Sequence, residues 1–377
     1  NFEQPGQLTE LFDGSIDINR IIDYLGVLSG RKIRKQSTLI ILDEVQQVPR
    51  ALTSLKYFAE EAPEYAICCA GSLLGVALHE GTSFPVGKVD FMTLQPLSFR
   101  EFLIAVGEEQ LLEYVGKYYA EGLPKTMVER LIDHLKTYFI VGGMPKAVYE
   151  WVKTHDFNQV TKVQESILQA YQNDFSKHAP KHVVPKLHYV WNSIPSQLAK
   201  ENKKFVYGVV REGARAREYE DALLWLRDSG LVRRVGLVSG GRLPLKSYED
   251  LKAFKIYHLD IGLFRCMCEI DPLVILGNER IFSEYRGSLT EQFVLQELQN
   301  LGLFKSIYYW SEGATSEVDF IFSYKNHIIP CEAKAGLNVY AQSLKVYMEK
   351  YKPEFALRTS LKNYRKDGAL LNIPLYE

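Results

Sequence analysis

The chain has 377 residues, of which 46% are hydrophobic and 24% are charged, and its formal net charge is −1. These proportions exclude a largely disordered protein, and the length predicts two or three domains at roughly 150 residues each. A net charge near zero excludes a global basic field that would draw the whole molecule to nucleic acid or to a membrane surface. No apolar segment reaches the ~18 residues of a membrane span, so no membrane partner is expected.

The five cysteines are dispersed and predict neither a disulfide framework nor a zinc site. They form no CxxC pair and have no histidine at zinc-ligand spacing. This usage favours the reducing cytoplasm. Cys68 and Cys69 lie in an apolar run, where we expect them to act as small buried hydrophobes. The chain begins with Asn1 rather than methionine, so we expect that a segment before Asn1 has been removed or not recorded. Whether that segment contained a signal peptide is an open question.

A short apolar run from Thr38 to Leu42 (TLIIL) predicts a strand buried on both faces of a parallel sheet. The run ends in Asp43 and Glu44. A helical pattern begins at Pro49, and a second apolar run follows from Ala66 to Ala70. Strand, helix and strand in this order predict a βαβ unit with two parallel strands.

The acid pair that ends the first strand is the strongest candidate for chemistry, because open α/β sheets bind ligands beyond the carboxyl ends of their strands. In a P-loop ATPase the first acid holds the Mg²⁺ that bridges the nucleotide phosphates, and the second orients and deprotonates the attacking water. Asp43 and Glu44 are therefore candidate catalytic residues, and Asp43 is the candidate Mg²⁺ ligand. Ser72, after the second strand, is the candidate sensor of the γ-phosphate or the water. The alternative is a solvated acidic loop and an ordinary serine.

The middle of the chain has helical periodicity from Ser98 to about Asn173, which predicts a helical lid. The sequence GGMP, at 142–145, interrupts it. A domain boundary is predicted at 180–185 (PKHVVP), where two prolines bracket a polar stretch.

Residues 194–241 have the order expected of a winged helix. A helix is predicted at 194–200, a longer one at 217–231, and an alternating strand at 232–238 leads to two glycines. Residues 200–255 contain 13 Lys or Arg against 8 Asp or Glu, the one candidate nucleic-acid surface that we find. DNA is therefore a candidate partner. The alternative is a solvated helical face or a docking surface for a neighbouring domain.

The last part of the chain predicts mixed helix and strand, with a helix at 288–300, strands at 306–310, 316–324 and 327–333, and a helix at 341–351. The two longer strands predict a hairpin that turns at Lys325 and Asn326. The residue numbers of two paired positions then sum to 651, which places Asp319 opposite Glu332 and Glu317 opposite Lys334. Like charges at facing positions are destabilising unless a cation lies between them. A bound Mg²⁺ or the ammonium of Lys334 would supply that cation.

Three stretches resemble a large family of bacterial and archaeal AAA-type ATPases: TLIILDEVQQVPRALTSLKYFAEEAPEYAICCAGSLLGVAL, SFPVGKVDFMTLQPLSFREFL and YFIVGGMPKAV. The resemblance covers essentially the whole chain. It implies an α/β fold, with a P-loop NTPase parallel sheet and helical lid, then a winged helix and an α/β restriction-endonuclease-like domain. It also implies ATP and Mg²⁺ as ligands. Asp43 and Glu44 match the Walker B acids, and Ser72 matches the sensor position.

The sequence departs from this family in one respect, since no GxxxxGK[ST] loop occurs in it. The family places that loop before the segment that begins here at Asn1. We therefore expect the 377 residues alone to bind ATP weakly or not at all, and the intact protein to bind it with Mg²⁺.

The carboxyl-terminal acids resemble the restriction-endonuclease-like PD-(D/E)xK superfamily. The resemblance implies that Asp319 and Glu332 coordinate a metal ion, that Lys334 orients the attacking water, and that Glu291 completes the cluster. The alternative is a degenerate descendant whose charges merely neutralise one another.

The expected domains are an ATPase core lacking its P-loop at 1–100, a helical lid at 101–180, a winged helix at 181–258 and a nuclease-like domain at 259–377. The expected function is ATP hydrolysis coupled to movement of the winged-helix and nuclease-like domains. One alternative is a metal-dependent nuclease or DNA-binding protein that nucleotide regulates, and another is an inert interaction protein. Assembly into a homo-oligomer stays open.

Overall fold

The computed structural model describes residues 1–2, 10–12, 16–71, 87–200, 203–277, 283–313, 316–336 and 340–377, with the backbone alone for 283–285. Ser72, the candidate sensor, lies outside the described residues. The chain forms two compact units, one of residues 1–94 with 224–230 and the other of residues 95–223 with 231–377. Among the described residues, no helix combines the length and the apolar character that a membrane crossing requires.

The first unit contains the predicted βαβ arrangement. Its elements are α1 (Ile18–Ser29), β1 (Leu39–Leu42), α2 (Pro49–Glu61) and β2 (Ala66–Cys69). The two strands pair in parallel, with Leu39 opposite Ala66 and Leu42 opposite Cys69. Asp17 caps α1 by accepting hydrogen bonds from the backbone N–H groups of the first turn. The parallel pairing predicted from the sequence is therefore confirmed.

Burial of β1 on both faces, however, is wrong. Ile40 and Leu42 are buried in a core cluster with residues of α1 and α2, whereas Leu39 is 57% exposed and Ile41 is 61% exposed. Cys68 is exposed as well, so the expectation of a buried thiol is wrong for this residue. Alternate side chains of a strand face opposite sides, and within the described residues the core packs on only one of them. Apolar character alone does not reveal whether a second layer is present.

The second unit begins with helices, as the periodicity predicts for residues 98–173. They are α3 (Phe99–Ala105), α4 (Glu109–Tyr118), α5 (Lys125–Val141), α6 (Pro145–Thr154) and α7 (Phe157–His178). Next come α8 (Val184–Leu198) and the short α9 (Tyr207–Val210), followed by α10 (Ala216–Asp228), whose residues are divided between the two units. The stretch 180–185, predicted as a domain boundary, leads into a helix. Pro185 lies in the first turn of α8, where no backbone donor is needed.

The second unit also contains an eight-stranded mixed sheet. Its strands are β3 (Val232–Val238), β4 (Glu249–His258), β5 (Ile307–Glu312), β6 (Ser316–Tyr324), β7 (His327–Ala333), β8 (Ala356–Ser360), β9 (Arg365–Asp367) and β10 (Leu370–Pro374). Their order across the sheet is β4-β3-β5-β6-β7-β8-β10-β9. The remaining helices are α11 (Ile261–Met267), α12 (Pro272–Leu276), α13 (Ser283–Asn300) and α14 (Gln342–Tyr351). One sheet face packs on α14 through a cluster that includes Trp310 and Tyr347.

The predicted hairpin of β6 and β7 is confirmed in its register. Phe320 pairs with Cys331 and Tyr324 with His327, so paired positions sum to 651 as expected. Lys325 and Asn326 form the turn with φ values of 45° and 67°, which matches a two-residue turn with two left-handed positions.

The strand predicted at 232–238 as part of a wing is β3, which pairs antiparallel with β4 and in parallel with β5. β3 and β4 follow α8, α9 and α10 in chain order, and the backbone N–H of Phe205 donates to the carbonyl of Phe254 on β4 at 2.7 Å. The sheet therefore runs across the boundary predicted at residues 258 and 259. The four-domain division and the winged helix stay predictions.

Candidate functional site

The acid pair Asp43 and Glu44 lies at the carboxyl end of the parallel pair β1 and β2. The Ala70 N–H donates to the Leu42 carbonyl at 2.8 Å, and the Val45 N–H donates to the Ala70 carbonyl at 3.0 Å. Glu44 is left-handed, with φ 55°, a conformation uncommon outside glycine. The chain therefore turns sharply at Glu44, directly after the end of the strand.

Both acids are partly buried and hydrogen-bonded. One carboxylate oxygen of Asp43 accepts from the Asn1 side-chain amide at 2.8 Å, and the other accepts from the Glu44 N–H at 3.1 Å. The Gln46 amide donates to Glu44 Oε2 at 2.5 Å. Gln46 thereby orients Glu44, although the sequence analysis did not select it. Its own Oε1 is buried without a partner among the described residues.

The predicted carboxyl-terminal cluster is assembled from two strands and one helix. Glu291 comes from α13, Glu317 and Asp319 from β6, and Glu332 from β7, with Lys334 directly after it. Glu291, Asp319 and Glu332 are all buried, at 7%, 9% and 6% exposed. The structure therefore brings together in one region the four residues that the sequence analysis selected.

The partners of Glu291 are residues that the sequence analysis missed. The Lys203 ammonium contacts Glu291 Oε1, the Tyr257 hydroxyl donates to Oε2 at 2.9 Å, and the Lys255 ammonium lies 3.9 Å from Oε2. Burial alone would raise the pKa of Glu291, but the two ammonium groups hold it below its ordinary value.

Asp319 and Glu332 face one another near the end of the hairpin. Asp319 Oδ2 accepts from the Ala333 N–H at 2.8 Å, and the Lys334 ammonium contacts Glu332 Oε1 at 2.7 Å. Burial, together with the carboxylates of Glu332 and Glu291, raises the pKa of Asp319 well above its ordinary value. Glu332 Oε2 is buried without a hydrogen-bond partner among the described residues.

Glu317 and Lys334, which the predicted register places opposite one another, have different side-chain partners. Glu317 binds the Lys255 ammonium at 2.5 Å instead, and Lys334 turns to Glu332. The reason is that β7 ends at Ala333, and the Lys334 N–H donates to the Thr359 carbonyl rather than to β6.

These contacts fit poorly with the prediction that Asp319 and Glu332 hold a metal ion together with Glu291. Mg²⁺ takes six oxygen ligands in a near-octahedral arrangement, yet both oxygens of Glu291 are already bonded within the protein. Within the described part of the chain, no three His, Cys, Asp or Glu side chains are grouped so that they could hold a metal ion.

One sequence signal could have identified Lys255. In the sequence, Lys255 lies within the mostly apolar run 253–258 (AFKIYH), which is buried throughout in the structure, and a lysine inside such a run requires a carboxylate partner. The identity of that partner could not be read from the sequence, because Glu291 and Glu317 are distant along the chain. Lys203 gave no comparable signal.

Family models match three parts of the chain. Residues 9–103 match a model described as an AAA domain, and this supports the resemblance of that part to AAA-type ATPases. Residues 132–274 and 286–376 match two families described as domains of unknown function, DUF8612 and DUF4143.

None of the curated proteins matches the chain. The solved structure of a Walker-type ATPase from Pyrococcus abyssi is similar at 14% identity, over 71% of this chain and 75% of that one, with a TM-score of 0.38. At that TM-score the likeness carries no argument about fold or activity. By its family match, then, the segment that contains Asp43 and Glu44 is similar to an AAA domain.

Proposed function

We propose that this chain carries the hydrolytic acids of an AAA-type ATPase, with Asp43 and Glu44 as the catalytic pair. The observation that carries the proposal is their position directly after β1, where the carboxyl ends of two parallel strands meet. The match of residues 9–103 to an AAA domain supports the same assignment.

The two acids suit different tasks. Carboxylate oxygens are the ligands that Mg²⁺ prefers, and Asp43 would hold that ion, which when bound neutralises phosphate charge. Glu44 would accept a proton from the attacking water on its carboxylate. Gln46 would keep the Glu44 carboxylate in place through the hydrogen bond at 2.5 Å. Ser72 remains the proposed sensor.

Phosphate binding requires a further part. Because no GxxxxGK[ST] loop occurs in the 377 residues, the proposal assigns the phosphate-binding loop to residues outside this sequence. ATP affinity should therefore belong to the full-length protein and not to these 377 residues alone.

Equilibrium binding of a fluorescent ATP analogue with Mg²⁺ tests the assignment in the full-length protein. Asp43→Asn should weaken Mg²⁺-dependent binding at least on the order of 10-fold, the loss that even indirect partners of a metal cause. Asp23→Asn, on the exposed face of α1, is the matched control and should leave binding unchanged. Equal affinity of wild type and Asp43→Asn would show that the nucleotide site is elsewhere.

The proposal includes coupling of hydrolysis to the second unit. The chain order of α8, α9, α10, β3 and β4 supports a winged helix as one output, with DNA as a candidate partner. The alternative of a metal-dependent nuclease has less support. The convergence of Asp319, Glu332 and Lys334 favours it, but Glu291 is held by two lysines.

A further inference from the structure

The acidic cluster in the second unit contains internal cations where the metal ion was expected. Lys203 and Lys255 both approach Glu291, on different oxygens. The side chains of Lys203, Lys255 and Glu291 are only 11%, 0% and 9% exposed. Charges this deeply buried persist only when they are paired and hydrogen-bonded. The chain can therefore fold with Lys203, Lys255 and Glu291 charged only if the two lysines contact Glu291.

Lys255 connects two acids. Its ammonium lies 2.5 Å from Glu317 Oε1 and 3.9 Å from Glu291 Oε2, and it also lies 4.8 Å above the ring centre of Tyr309. A desolvated ammonium gains from both carboxylates and from the aromatic face. Lys255 thus neutralises charge on α13 and on β6 from a position on β4.

Lys203 acts from the segment between α8 and α9. That segment is fixed by backbone contacts, since the Phe205 N–H donates to Phe254 and the Val206 N–H donates to the Gln197 side chain at 3.0 Å. The Lys203 ammonium therefore reaches Glu291 from an anchored stretch of chain. A metal ion could use Glu291 only after Lys203 withdrew.

The acids that remain do not restore the expected set of ligands. Asp319 accepts a backbone hydrogen bond, and a third lysine, Lys334, contacts Glu332. What is left, among the residues that the structure describes, is one oxygen of Glu332 without a hydrogen-bond partner, and Glu291 supplies no third carboxylate because its oxygens are already bonded.

We infer that this cluster is neutralised from within the chain by Lys203 and Lys255, and that it does not take the divalent metal ion its acids predict. The lysines fasten the segment 203–206 and strand β4 to helix α13. They are positioning residues, and they hold together the side of the sheet that faces α13.

Thermal unfolding with and without Mn²⁺ tests the absence of a metal site. The midpoint temperature of unfolding of the wild-type 377-residue chain should not change when millimolar Mn²⁺ is added or when a chelator replaces the Mn²⁺. A Mn²⁺-dependent rise that Glu332→Gln removes would overturn the inference. This titration decides the matter even if a lysine variant fails to fold.

A double-mutant cycle tests the role of Lys203. Lys203→Met should lower the unfolding midpoint by several degrees, because it leaves Glu291 charged and buried without its nearest cation. Lys203→Met combined with Glu291→Gln should recover most of that loss, since both charges are gone and the Gln oxygen still accepts from Tyr257. Lys252→Met, at an exposed position of β4, is the control and should have no effect. Additive losses in the double variant would overturn the assignment.

Discussion

The Asp260 carboxylate accepts a hydrogen bond from the Gly143 N–H at 2.6 Å, which joins two parts of the second unit that are 117 residues apart in sequence. The Gly143 carbonyl accepts in turn from the Leu97 N–H at 2.7 Å. The sequence GGMP interrupts the helical stretch at this point because the backbones of Gly262 and Leu97 leave no room for a side chain at Gly142 and Gly143. A Cβ on Gly143 would lie 2.1 Å from the Leu97 carbonyl oxygen.

Replacement of Gly143 is the first prediction. Gly143→Ala forces its methyl group against the Leu97 backbone, which cannot rotate away as a side chain can, so we expect a loss of about 3 kcal/mol in the free energy of unfolding. Gly116→Ala is the control, because a Cβ there meets nothing within 4 Å inside helix α4, and it should stabilise by about 0.5 to 1 kcal/mol. Urea denaturation measures both. An equal effect of the two substitutions would contradict the close packing at GGMP.

Glu297 predicts a dependence of stability on pH. Its side chain accepts from the Phe99 N–H at 3.0 Å, and burial raises its pKa to about 8, helped by the charge of Glu101. A carboxyl with a raised folded pKa binds its proton more tightly in the folded state, so stability should fall as pH rises from about 4.5 towards 8. Glu297 retains some solvent exposure, so we expect less than the full slope of about 1.4 kcal/mol per pH unit.

Glu297→Gln removes that titration while it keeps an acceptor for Phe99. We expect the variant to gain stability over wild type at pH 9 and to show a smaller gain at pH 5, as measured by urea denaturation. Glu113→Gln on the exposed face of α4 is the matched control and should show no pH-dependent difference. A constant offset between Glu297→Gln and wild type at both pH values would contradict the assigned pKa.

Thiol labelling tests the exposed face of the first sheet. Cys68 is exposed, whereas burial raises the pKa of Cys69 to about 12 and keeps its thiol protonated. Burial raises the pKa of Cys268 to about 12 in the same way, and Cys266 and Cys331 are buried. We therefore expect one fast-reacting thiol in the folded chain, and Cys68→Ser should abolish the fast phase. Slow reaction of all five thiols would mean that the Cys68 side of the sheet is covered.

Features that depend on residues close together in the sequence were predictable, whereas features that depend on distant residues were not. The register of β6 and β7 was predictable because it depends on two adjacent strands and a two-residue turn at Lys325 and Asn326. The strand before Asp43 was predictable from five residues, but its exposed side was not, because burial depends on what covers Leu39 and Ile41.

The contacts of the second cluster could not be predicted for the same reason. Lys203 meets Glu291 across 88 residues, and Lys255 meets Glu317 across 62. The acids could be identified from their spacing in the sequence, but nothing in the sequence indicates which acid each lysine contacts. The contacts of Lys203, Lys255 and Lys334 with these acids favour the alternative interpretation, in which the charges neutralise one another, and it stays a proposal.

The most direct test of the catalytic assignment is the rate of phosphate release from Mg²⁺-ATP by the full-length protein with Glu44→Gln. If Glu44 is the general base, hydrolysis should fall on the order of 100-fold or more while ATP binding is retained. Glu61→Gln, at the exposed end of α2, should leave the rate unchanged. A Glu44→Gln variant that hydrolyses ATP at the wild-type rate would contradict the assignment.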